Sequence, residues 1–72
     1  MIIYSQDKKG IVDAKLLQVN RMGVKDKFCV MASGGFSGAI VTATFDDEKS
    51  ALDALKKAYD AFANGAVSYS FD

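Results

Sequence analysis

Short apolar stretches with period-two alternation, punctuated by polar turns that carry glycine, fill the first two thirds of the chain. Met1-Ile2-Ile3-Tyr4-Ser5 is apolar and β-rich, so it reads as a strand buried on at least one face. Asp7-Lys8-Lys9-Gly10 reads as a hairpin turn, with Ile11 and Val12 opening the next strand. There the parity slips: Val12, Ala14 and Leu16 share one face, Leu17 and Val19 the other. A bulge or tight turn near Asp13-Ala14-Lys15 reconciles the two sets, because one extra residue flips the facing of all that follow. A short helix over residues 13–22, capped by Gly23, is the competing reading, but the flanking hairpin signals favour a strand. Lys25-Asp26-Lys27 marks a turn before a third strand, Phe28-Cys29-Val30-Met31-Ala32, and Ser33-Gly34-Gly35 turns the chain again. Ala39, Val41, Ala43 and Phe45 then alternate with Ile40, Thr42 and Thr44, which predicts a half-buried fourth strand with a bulge permitted at Gly38.

After Phe45 the period becomes helical. Asp46 or Asp47 supplies an N-cap oxygen, and Glu48 suits the positive end of the helix dipole. Leu52, Leu55, Tyr59 and Phe62 recur at steps of three and four with Ala51 and Ala58 beside them, which predicts one apolar stripe. Asn64-Gly65 ends the helix, and Val67, Tyr69 and Phe71 alternate with Ser68 and Ser70 in a last strand. The order is ββββαβ. It predicts one α+β domain over residues 1–72: a mainly antiparallel four- or five-stranded sheet with one amphipathic helix packed on one face.

A chain of 72 residues buries a thin core, since domains of about 60 residues bury only about 60% of their unfolded surface. A single cysteine closes no internal disulfide, so self-association is the expected remedy and a reducing, cytoplasmic setting the expected one. No run approaches the roughly 20 apolar residues needed to span a bilayer, and no basic patch followed by an apolar stretch suggests a secretory leader. Nine basic and nine acidic residues cancel, which is poor equipment for a nucleic-acid binder. The signs are nevertheless segregated: residues 1–45 carry six basic and three acidic groups, residues 46–72 three and six.

The absence of histidine removes Ser-His-Asp and Cys-His catalysis from this chain, and no enzyme is expected. One cysteine and scattered carboxylates match no zinc spacing, and Cys29 lies among apolar neighbours that keep a thiol neutral. Asp46-Asp47-Glu48 is the sole acidic cluster, and helix capping accounts for it. The run Ser33 to Gly38 leads into a strand rather than a helix and lacks the phosphate-loop lysine, so a hairpin accounts for it too. No cofactor or metal is expected.

Ser5-Gln6-Asp7-Lys8-Lys9 after an apolar first strand, followed by Ile11-Val12, resembles the opening of short uncharacterised proteins from Firmicutes and their prophages. Asp47-Glu48-Lys49-Ser50-Ala51-Leu52 resembles the acidic helix start that those proteins carry near their C-termini. The likeness spans most of the chain; residues 15–38 depart from it, and the first strand lacks the tryptophan common there. It implies a small α+β accessory protein of a bacterium or mobile element, with no catalytic residues.

Function is then expected in contacts. Both parities of the strands are apolar, and one helix covers only one face of a sheet. The leading expectation is a non-catalytic protein-interaction module that forms a homodimer through its sheet, with Val67, Tyr69 and Phe71 at a free edge, or that meets a host or phage protein. The alternative is weak, non-specific nucleic-acid binding through Lys8, Lys9, Lys15, Arg21, Lys25 and Lys27, provided they converge on one surface.

Overall fold

In a computed structural model, which describes residues 1–23, 27–34 and 38–71, six strands and one helix follow in the order βββββαβ. The strands are β1 (Ile2–Tyr4), β2 (Ile11–Asp13), β3 (Leu16–Met22), β4 (Lys27–Ser33), β5 (Ala39–Phe45) and β6 (Ser68–Ser70), and the helix is α1 (Glu48–Ala63). The expected α+β class holds, but the expected single sheet of four or five strands does not. Two three-stranded sheets form, ordered β2-β1-β6 and β3-β4-β5. All pairings are antiparallel except β1 with β6.

The division lies where the parity slipped. Ala14 donates its N–H to the Met1 carbonyl at 2.6 Å, inside the first sheet, whereas Lys15 donates to the Ser33 carbonyl at 2.8 Å, inside the second. Consecutive amides thus serve different sheets, and the expected single strand becomes β2 and β3. Ala14 is buried at the junction, Leu16 turns outward, and Leu17 and Val19 face the core. Residues 16–22 are strand, not helix, because they pair with β4 along their whole length, from Leu16 opposite Ser33 to Met22 opposite Lys27.

The alternation expected for β5 is broken as well, at Thr42 rather than Gly38. Val30 pairs with Ala43 and Met31 with Val41, so Thr42 is the extra residue of a bulge. Ala43 and Phe45 face the core while Val41 turns outward. The buried Thr42 hydroxyl donates to the Val30 carbonyl at 2.8 Å, which satisfies it without water. Gln6 then joins the two sheets: its N–H donates to the Thr42 carbonyl at 2.7 Å, and its Oε1 accepts from the Thr44 N–H at 3.1 Å.

The helix follows its local signals. Asp47 is the N-cap, accepting the Ser50 N–H at 2.7 Å. At the other end Gly65 adopts φ +95°, its N–H bonds the Phe62 carbonyl, and Ala66 bonds the Ala61 carbonyl, so a glycine-centred C-terminal cap closes the last turn. The core consists of Ile3, Ala14, Val30, Ala32, Ala43, Ala58 and Phe71, with Val12, Leu17, Val19, Phe45, Leu55 and Phe62 packed around it.

Candidate functional site

The helix meets the sheet through alanines, which changes the expected stripe. Ala51 and Ala58 are fully buried, and Leu55 and Phe62 half-buried, but Leu52 stays 47% exposed and Tyr59 69%. Each residue advances about 100° round an α-helix, so Leu52 and Tyr59 sit a quarter-turn beyond the buried line. They form one wall of a groove of about 450 Å³ whose other side includes Leu17 of β3 and Met1. Lys56 contributes the one charged side chain to an otherwise apolar lining. The signal for it was present in the sequence as two alanines seven residues apart, each followed by a large apolar residue.

The opposite flank of the helix is polar. Ser50, Asp53 and Lys57 border a second groove, of about 280 Å³, with Gln6, Phe45 and Tyr69. The two sides of α1 therefore differ in chemistry, and only the β3 side presents contiguous apolar surface.

Two of the three residues of the acidic cluster are committed to the fold. Asp46 pairs with Lys27 at 3.2 Å, and Asp47 caps the helix. The Ser50 amide and hydroxyl hold the Asp47 carboxyl below its ordinary range. Asp7 is lowered likewise, first by the Ser5 hydroxyl at 2.6 Å and then by the Lys9 N–H at 2.9 Å. Ser5 also accepts the Gly10 N–H, and Lys8 takes the left-handed φ of +65°. The Ser5-Gln6-Asp7-Lys8-Lys9 stretch thus has a structural reading in full: a hairpin tip that folds on itself and, through Gln6, ties down β5. Cys29 is buried in the central strand β4. Among the described residues no three His, Cys, Asp or Glu side chains cluster as metal ligands, and no helix is long and apolar enough to cross a membrane.

The basic residues of the nucleic-acid alternative are spread along the fold. Lys8 and Lys9 occupy the β1–β2 hairpin tip, where the Lys8 ammonium lies 5.0 Å from the Tyr4 ring centroid and donates to Ser70. Lys15 precedes β3, while Arg21 stands six residues further on, about 20 Å away along an extended strand. Lys27 is engaged with Asp46, and Lys25 lies outside the described residues. Of the three residues expected at the C-terminal edge, Val67 is 80% exposed, Tyr69 half-buried, and Phe71 belongs to the core, its ring 5.1 Å from that of Tyr69. β6 does lie at a sheet edge, but spans three residues.

No family model matches this sequence, and searches of curated proteins and of solved structures returned no match.

Proposed function

We propose that this chain is a small, non-catalytic protein-interaction module, an accessory protein of the bacterial or prophage type, that acts as a homodimer joined through its sheet. The observation that supports this reading is the outer edge of β3. Four strands lie at sheet edges: β2, β6, β3 and β5. β2 and β6 have three residues each, and the Gln6 clamp occupies the β5 edge. β3 has seven residues, no proline, and no described strand along its outer side. A long edge of unpaired amides and carbonyls is a template for a further strand. A net charge of zero raises no electrostatic barrier against a second copy. This edge replaces Val67, Tyr69 and Phe71 as the favoured contact, because Phe71 is already spent on the core. Sedimentation equilibrium across a wide concentration range tests the reading. The expected species is a dimer of twice 7.7 kDa, and a persistent 7.7 kDa particle at millimolar concentration refutes it.

A further inference from the structure

We propose that the apolar wall of α1 is the second half of the same interface: two copies pair their β3 edges about a twofold axis, and their α1 helices pack antiparallel across it. This inference rests on the self-association reading and adds to it a surface, a geometry and a charge pairing.

The distances agree. Helix α1 packs chiefly over β3 and β4, and to a lesser extent over β5 and β6. With strands about 4.8 Å apart, an axis above the β3–β4 midline stands about 2.4 Å inside β3. Pairing β3 with its copy adds another 2.4 Å or so to the twofold, so the two helix axes lie about 10 Å apart. Packed helices are separated by about 8–10 Å. Strand pairing on this edge therefore brings the helices into contact without rearrangement, through the flank that bears Leu52 and Tyr59.

The levels along the sheet agree too. Phe45 pairs with Phe28, and Phe28 with Arg21, so α1 begins over the Arg21–Met22 end of β3. Four residues on, at about 1.5 Å each, Leu52 lies about 6 Å back along the strand, roughly two strand residues. That places it level with Val19 and Asn20, beside the midpoint of β3. A register centred on Val19 sets Leu16 against the partner copy's residue 22. A twofold passing Leu52 also brings Glu48 and Lys56, one helical turn to either side, against the partner's residues 56 and 48. Unlike charges then meet twice.

The area suits a dimer. The chain exposes 4854 Å², about 500 Å² more than the roughly 4,300 Å² that size scaling gives for a monomer of this mass. Burial of that excess on both copies gives about 1,000 Å², the lower bound of specific interfaces.

The experiment is sedimentation equilibrium of the full chain as wild type, Glu48→Lys, Lys56→Glu, their double variant, Leu52→Asp, and Val67→Asp on the β6 edge. Circular dichroism verifies each fold. Each single reversal is expected to weaken dimerisation roughly tenfold, and the double reversal to restore it to within about threefold. Leu52→Asp is expected to be monomeric, and Val67→Asp to dimerise like wild type. A dimer indifferent to Leu52→Asp and to both reversals overturns this interface while leaving self-association standing. A double reversal as weak as the singles overturns the charge pairing, and with it the register. A monomeric wild type, including one whose groove takes up a foreign protein, overturns both proposals. Glu48 and Lys56 are exposed, so the reversal series decides even if Leu52→Asp fails to fold.

Discussion

Gly34 is the position where a single methyl group should do most damage for least chemistry. It follows β4 beside the junction at which the chain passes from β2 to β3. A Cβ there would stand 2.6 Å from the Asp13 carbonyl oxygen, 2.9 Å from the Lys15 nitrogen and 3.2 Å from the Ala14 Cα. All three are backbone atoms, so no side chain can swing aside. Relief requires prising β4 away from the crossing, which strains the Lys15 N–H to Ser33 carbonyl bond of 2.8 Å. Overpacking of this kind costs about 1–3 kcal/mol, and loss of the hydrogen bond about 0.5–1.5 kcal/mol. The smaller entropy of an unfolded alanine returns about 0.4–1 kcal/mol. Gly34→Ala should therefore destabilise the fold by about 2 kcal/mol, against a total of about 4–11 kcal/mol for a domain of this size. At about 4–8 °C per kcal/mol, Tm falls by about 8–16 °C. Gly23→Ala is the control, since a Cβ there meets nothing within 4 Å and the backbone is not left-handed. Thermal and urea unfolding followed by circular dichroism measure both. Should Gly34→Ala unfold within about 0.5 kcal/mol of wild type, or Gly23→Ala suffer equally, the steric account of the junction is wrong.

Two further predictions concern groups whose polar partners are now identified. Thr42→Val removes the hydroxyl donated to the Val30 carbonyl inside the bulge and should cost about 1–3 kcal/mol in urea unfolding, whereas Thr42→Ser keeps the donor and should cost less; the reverse ranking would show that shape, not the hydrogen bond, holds the bulge. The Asp47 carboxyl is lowered in the folded state, so its contribution is complete above the ordinary carboxylate range and is lost as the pH falls below about 4. Asparagine caps equally well without titrating, so Asp47→Asn should match wild type near neutrality and flatten part of the acid limb of Tm against pH; superimposable acid limbs would rule the linkage out.

The candidate surface was half visible in the residues. Leu52 and Tyr59 stood out as part of an apolar stripe, and periodicity alone assigned them to the core. Whether a stripe residue is buried depends on how closely the helix approaches its sheet, and Ala51 and Ala58 set that approach here. The β3 edge was invisible for a different reason: a strand reads the same in sequence whether one neighbour or two flank it.

What the chain determined locally it determined well. The helix from its Asp47 cap to its Gly65 terminus and the tip of the β1–β2 hairpin rest on contacts within a few residues, and the strand character of residues 16–22 and 39–45 shows in alternation and in the turn residues that flank them. Their signals lie side by side in the sequence. The tertiary structure alone decided that Ala14 and Lys15 serve different sheets, that Thr42 is the bulged residue, that Gln6 clamps β5, and that Gly34 admits no side chain. Each joins backbone segments between about 12 and 40 residues apart. Alternation records which way a side chain faces but carries no label for the strand that will lie beside it, so that choice falls to the packing of the whole.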